Sequence, residues 1–517
     1  MYYIIERKES GSSFCLFEIC LKQGIIIEKK KAGEINMGVL SHLEPKEVFY
    51  YFEEICNIPH PSFKEEKISN YCMEFAKKHE LEAYQDDAKN VIIIKEATTG
   101  YEDAEPVILQ GHLDMVCQKT ADREIDFEND PLELEIDGDY IQARGTTLGG
   151  DDGIAVAYGL ALLASTTISH PRLEVILTTG EEVGLLGANV IDISMCKGKR
   201  MINLDSEDEG IFLTGCAGGS SVRVVLPIER EKKEGSFVEV KATGLLGGHS
   251  GVEIDKGRAN ANVLLGTTLE KLKAQCKISL VSFAGGDKEN AIPRESAAQI
   301  IINADQKEEL YQCLQKWEKE VQEEYRDADP DLRITVEEKG EGSYEAVTEA
   351  SLEAILKYLK EMPNGIQAMS KDVEGLVETS LNLGIAMLEE EGFCTSFAVR
   401  SSVDKDKEVL VEKMKEISSQ WNAEVEVSGV YPGWQYRPDS KLREDMVAVF
   451  EKMYGKKPVV EAIHAGLECG LFAEKISDID CVSIGPDMDD IHTTEERLSI
   501  SSVKRVWEFL LEVLKVK

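Results

Sequence analysis

Five places in the chain put His, Asp or Glu directly where an apolar run ends. PVILQGHLDMV carries His112 and Asp114, TTLGGDDG carries Asp151-Asp152, and LEVILTTGEEVG carries Glu181-Glu182. MINLD ends on Asp205, and GPDMDDIHTTEE carries His492. Imidazole nitrogen and carboxylate oxygen are donors that suit zinc, and a catalytic zinc site keeps one position open for water. Two ions roughly 3.5–4 Å apart need a carboxylate between them and can hold an attacking hydroxide and a carbonyl oxygen together. Asp114 lies close enough in sequence to take the second ring N–H of His112, which fixes the tautomer and raises basicity. Glu181, beside a candidate ligand, is placed to act as general base toward water. Each pair alone has an ordinary structural account: Asp-Asp as a helix N-cap, Glu-Glu as a solvated turn, a lone His as a hydrogen-bonded core residue. Their joint occurrence at glycine-flanked turns points to one site.

Such residues converge only if the elements behind them do. Short β-favouring runs predict strands at Val91–Ile94, Pro106–Leu109, Leu173–Thr179, Met201–Leu204 and Cys481–Ile484, and IAVAYGLALLAS predicts a buried helix over Ile154–Ser165. Helical spacing marks residues 45–80, broken at IPHPS. Alternating helices and strands argue for an α/β sheet covered on both faces, whose strand carboxyl ends line one edge where ligands bind. After about residue 216 apolar and polar residues alternate, as in half-exposed antiparallel strands. Helices are expected near 258–275 and 306–325, with strands near 278–284 and 296–303. A comparable block runs over 347–430, and the α/β style returns from 434 to a closing helix at 501–515. The expected architecture is a catalytic α/β domain in two parts, 37–215 and 434–517. An α+β domain of two similar halves, 216–433, is inserted between them.

The balance of 58 basic against 96 acidic residues gives a net charge of −38, which repels phosphate backbones and anionic lipid. Nucleic-acid binding and a polybasic membrane patch are therefore not expected, and no apolar run approaches the roughly 20 residues of a membrane span. Twelve cysteines without any C-x-x-C pair fit reduced thiols in the cytoplasm. G-x-S-x-G, G-x-G-x-x-G and the Walker lysine loop are absent, which argues against serine hydrolysis and nucleotide use. Residues 1–36 differ in character from the rest of the chain. Their apolar pieces are short and broken by charges, and no cleavage site succeeds them. Ala32-Gly33-Glu34 can be encoded by a purine-rich GCAGGAGAA just upstream of the Met37 codon, so translation is expected to start at Met37.

GHLDMV, TTLGGDDG, TTGEEVGLLGA, NLDSED and GGHSGVEIDKGRANA resemble the di-zinc metallopeptidase family that includes the aminoacyl-histidine dipeptidases, over essentially Met37 to Lys517. The resemblance implies a zinc-peptidase mixed sheet flanked by helices, with the inserted domain as a lid. By position it makes His112, Asp151, Glu182, Asp205 and His492 ligands of two Zn2+ (Co2+ or Mn2+ as substitutes), with Asp151 bridging and Asp114 and Glu181 as the catalytic pair. It implies His249 as oxyanion stabiliser, Asn290 and Arg400 as holders of the substrate C-terminus, and HAGLECG (464–470) as a backbone-binding loop. The implied activity is hydrolysis of dipeptides, Xaa-His included, by a zinc-bridged water. The alternatives are an N-acyl amino acid deacylase, tripeptidase or carboxypeptidase on the same scaffold, or a non-catalytic metal-dependent binding protein. After His492 the chain has Thr-Thr-Glu-Glu where relatives have a proline-acid pair, a difference in a turn. Monomer and homodimer both remain open.

Overall fold

The computed structural model describes residues 38–517, so the expectation for residues 1–36 lies outside the described residues. An eight-stranded mixed sheet runs Glu82–Gln85, Val91–Lys95, Leu173–Thr178, Val107–His112, Arg200–Asn203, Asp480–Ser483, Ile211–Cys216, Val459–Ile463. Four adjacent strands at its centre, from Leu173–Thr178 to Asp480–Ser483, are mutually parallel. Their carboxyl ends therefore share one edge.

The strand residues alternate between two cores, as a period of two demands. Val91, Ile93, Leu109, Val175, Ile202 and Val482 pack under the large helices Lys46–Cys56, Gly150–Ala164 and Ile500–Val513. Ile92, Ile94, Ile108, Ile176, Met201 and Cys481 pack on the opposite face with Leu471 and Phe472 of the helix Cys469–Lys475. Both faces are covered, which is why these strands read as continuous apolar runs.

A nine-stranded antiparallel sheet lies over its own core of Val238, Leu265, Ile300, Leu381, Phe393 and neighbours. One half of it is ordered Arg333–Val347, Arg230–Thr243, Ser296–Ile302, Ile278–Gly285: the fourth, first, third and second strands of a βαββαβ unit. The other half is the same unit reversed: Val377–Leu388, Phe393–Ser401, Gly218–Leu226, Glu424–Tyr431. The two join through their second strands, with Ala284 opposite Met387 and Gly285 opposite Ala386. The blocks read from the sequence divide differently here. Strand Gly218–Leu226 belongs with the later group, and the whole first unit is inserted behind it. The strands Arg333–Val347 and Gly365–Met369 have no counterpart in the sequence reading. The chain enters and leaves this sheet side by side, where Cys216 and Trp434 exchange backbone hydrogen bonds of 2.9 and 3.0 Å.

Candidate active site

The strand Val107–His112 ends on His112 itself, later than the apolar run suggested, because Gln110 and Gly111 continue the ladder. Gly111 faces the helix Gly150–Ala164, where a Cβ would come within 2.4 Å of Asp152 Oδ2 and 2.6 Å of Ala155 Cβ. That close approach carries the first turn of the helix up to the strand end. Asp151 and Asp152 stand inside this first turn rather than before it, with non-helical backbone angles. Neither acts as a side-chain N-cap; the cap position is Gly149, in the left-handed region at φ 67°.

The buried Asp152 accepts the backbone N–H of His112 at 3.0 Å, which leaves Asp151 free to face the site. Asp151 Oδ1 lies 3.1 Å from His112 Nε2, and its Oδ2 lies 3.0 Å from His492 Nε2. One carboxylate thus spans the two rings. Asp205 Oδ1 stands 3.6 Å from His112 Nε2, and Glu182 Oε1 stands 2.9 Å from His492 Nε2. The result is two triads, His112–Asp205–Asp151 and His492–Glu182–Asp151, sharing Asp151.

The expected partner of His112 differs in one atom. Its Nδ1 lies 3.0 Å from the backbone carbonyl of Asp114 and 3.5 Å from the carboxylate, so the carbonyl takes the ring proton. The Asp114 carboxylate accepts instead from the backbone N–H of Glu181 at 3.0 Å and of Glu182 at 3.3 Å, and from Ser62 Oγ at 2.8 Å. Asp114 therefore aims the Glu181-Glu182 turn as well as supporting His112.

Crowded carboxylates shape the electrostatics. Burial, then the charges of Asp205, Glu468 and Glu182, hold the Glu181 carboxyl well above the ordinary range. Burial pushes Asp205 up to about 6, with the charges of Asp151 and Glu182 adding to it. Burial also works to raise Asp151, but the hydrogen bonds from His112 and His492 outweigh it and hold Asp151 below the ordinary range. Hydrogen bonds to Asp151 and Glu182 push His492 up to about 11. Buried carboxylates outnumber the rings between them, an arrangement that is costly without cations. Donor atoms of Asp151, Glu182 and His492 lie within 4.8 Å of one another, as do those of His112, Glu181 and Glu182 and those of His112, Asp152 and Asp205. Nitrogen and carboxylate oxygen in such groups fit divalent transition metals. Asp152 belongs to one group, but its second oxygen is committed to the His112 backbone.

Of the residues expected to hold substrate, the structure brings His249 and Arg400 together, and Asn290 adjoins them through its backbone, next to Ala291, which pairs with His249. His249 Nδ1 accepts from the N–H of Gly251 and Val252, both at 3.3 Å, so the neutral ring carries its proton on Nε2. Burial, then the Arg400 charge, lowers its pKa and keeps it neutral. Arg400 Nη2 stands 3.5 Å from that Nε2. Two donors face one another, and an anionic acceptor would satisfy both. The Asn290 carbonyl accepts from Ser250 N–H at 2.9 Å, while its side chain is exposed. In HAGLECG, His464 bonds Ser380 Oγ at 2.8 Å, and Glu468 Oε2 accepts from Gln110 Nε2 at 2.5 Å and Thr178 Oγ1 at 2.6 Å. Glu468 has no chemical signature in the sequence, and neither has Tyr431, whose hydroxyl accepts from Arg400 Nη1 at 3.2 Å.

The family model for peptidase family M20/M25/M40 matches residues 108–516. The cytosol non-specific dipeptidase of Escherichia coli (strain K12) is 37% identical over 481 residues, covering 93% of this chain and 99% of its own length. The solved aminoacylhistidine dipeptidase of Vibrio alginolyticus superposes with a TM-score of 0.86 at 37% identity, covering 92% of this chain and 97% of that one. An aminopeptidase from Bacillus cereus, at 16% identity and a TM-score of 0.52, shares the fold; the match covers 91% of this chain and 98% of that one. The chain belongs to the M20/M25/M40 family of peptidases.

Proposed function

We propose that this chain is a metal-dependent dipeptidase that hydrolyses the peptide bond of dipeptides, Xaa-His among them. The shared Asp151 carboxylate between two histidine triads carries this reading, and 37% identity to a dipeptidase along nearly the whole chain supports it. In this reading residues 37–215 and 434–517 form the catalytic domain and 216–433 the lid. His112, Asp205 and Asp151 would hold one Zn2+, and His492, Glu182 and Asp151 the other. Bound there, the ions supply Lewis acidity toward a carbonyl oxygen and lower the pKa of water.

The chain's own groups do the rest. Glu181 takes a proton from the attacking water and returns it to the leaving amine. His249, fixed as the Nε2–H tautomer, donates to the carbonyl oxygen as negative charge builds there. Arg400 pairs with the substrate's terminal carboxylate, and Asn290 holds the same end. The unpaired cysteines among the described residues fit a reducing, cytoplasmic setting, and no described helix is long and apolar enough to cross a membrane.

The test is a substrate panel assayed with and without a chelator: β-Ala-His, Leu-Gly, a tripeptide and an N-acetyl amino acid. Chelator-sensitive cleavage confined to the dipeptides is expected. Cleavage of the tripeptide or the N-acetyl compound instead would keep the metal chemistry and overturn the substrate class. Metal uptake without any cleavage would favour a binding protein.

A further inference from the structure

Glu496 is buried in the HTTEERLS turn, 3% exposed, and makes no ion pair among the described residues. Its carboxylate is spent on the backbone of a distant segment. Oε2 accepts from the N–H of Leu148 at 2.7 Å and of Gly149 at 3.2 Å, and Oε1 accepts from Gly150 N–H at 2.8 Å, with Asp151 N–H at 3.5 Å. These are the N–H groups that open the helix Gly150–Ala164, where no side chain of its own first turn caps it. A carboxylate at that end is favoured by the helix dipole. The space is shaped for it: a Cβ on Gly150 would come within 3.3 Å of Oε1, and one on Gly149 within 2.9 Å of Met115 Sδ.

Glu496 also stands shortly beyond His492 on the same turn, in which Glu496 N–H bonds Thr493 O at 3.3 Å. One carboxylate therefore pins the turn that presents Asp151 to the turn that presents His492. We propose that Glu496 is a positioning residue for the metal centre: it sets the turn carrying Asp151 against the turn carrying His492, so that one carboxylate can reach both histidine triads. This rests on the ligand assignment above. Asp152, on the same turn as Asp151, already ties that turn to the His112 backbone, so the relation Glu496 controls is that of the Asp151 carboxylate to His492. A merely structural cap would stabilise the helix without affecting how metal binds.

The experiment uses the full chain, stripped of metal and titrated with Zn2+ by calorimetry and with Co2+ by visible absorption, alongside metal-free thermal melts. Glu496→Gln, which keeps the shape but sets an amide donor against backbone N–H groups, is expected to weaken metal affinity about 10–100-fold and to alter the Co2+ spectrum. Glu496→Asp, which keeps the charge one methylene shorter, should fall between and carries the same test if the glutamine variant does not fold. Ala164→Gly, at the far end of the same helix, should lower the melting temperature and leave affinity and spectrum unchanged. A Glu496→Gln protein that melts earlier yet binds Zn2+ and Co2+ as the unaltered chain does would overturn the positioning role. Failure of the unaltered chain to take up metal, or unaltered binding by Asp151→Asn, would overturn the ligand assignment itself and the proposal with it.

Discussion

In the proposed mechanism, Glu181 is the residue on which catalysis and metal binding separate. Its backbone is held by Asp114, and its side chain contacts neither Asp151 nor His492, although a carboxylate oxygen lies within 4.8 Å of donor atoms of His112 and Glu182. Glu181→Gln should therefore leave metal stoichiometry intact and lower kcat by about 10²–10⁴-fold, measured on β-Ala-His with metal content determined on the same sample. Turnover near that of the unaltered chain would remove it from the mechanism. Glu468 supports a different prediction, about pH. Burial pushes its carboxyl up to about 8 from an ordinary 4.5, and Oε1 has no hydrogen-bond partner among the described residues. The folded protein thus keeps a proton there that the unfolded chain releases. The stabilisation is complete below about pH 4.5 and is lost as pH rises through about 8, each pKa unit being worth about 1.4 kcal/mol. Glu468→Gln keeps an acceptor for Gln110 and Thr178 and removes the ionisation. Metal-free melts should show the variant gaining on the unaltered chain from about pH 5 to about pH 8.5; a constant difference would show that Glu468 does not carry this pH dependence.

At the level of elements, the strands under the site were legible and their exact ends were not. Val-Ile-Leu and Met-Ile-Asn-Leu announce buried strands because both faces are covered. Gln110 and Gly111 hide the end of the ladder, since one is a buried polar residue bonded to Glu468 and the other is small so that a helix can approach. Asp151-Asp152 has the chemistry of an N-cap, and only the position of Glu496, far along the chain, shows that the capping is done from elsewhere. His492, Glu182 and Asp205 stood out in the sequence as candidate ligands because each lies beyond the end of a short apolar run. Glu496 reads in sequence as one more acidic residue of a turn, although a carboxylate shortly after a candidate ligand was the available signal. Gly111→Ala tests the close approach directly. Its Cβ meets Asp152 and Ala155 well inside contact distance, so the helix must move. The expected cost is about 1–3 kcal/mol of stability together with loss of Zn2+ affinity, read by melting and by calorimetry. A destabilised protein with unchanged affinity would show that the strand end, not the helix, governs the metal geometry.

The whole molecule explains why the repeat in the nine-stranded sheet was half-seen. One βαββαβ unit is continuous from Arg230 to Val347, whereas the other is cut after its first strand, Gly218–Leu226, and resumes at Glu349. A chain read in order meets the first strand of the second unit before the first unit begins, and the long acidic edge strand Arg333–Val347 looks like solvent-exposed coil. The reversed order of the two units and their antiparallel junction place His249 from one unit against Arg400 from the other. Both donors, and the catalytic sheet they accompany, come from a single chain. The pair is set by the covalent sequence and by the shared nine-stranded sheet, so neither of these two donors has to come from a second copy. Specific activity on a dipeptide should then stay constant as the protein is diluted through any dimer dissociation followed by analytical ultracentrifugation. Arg400→Ala, which removes one donor, should raise KM more than it lowers kcat. Activity that falls in step with loss of a dimer would place a partner's residue in the site and overturn the expectation drawn from the two joined units.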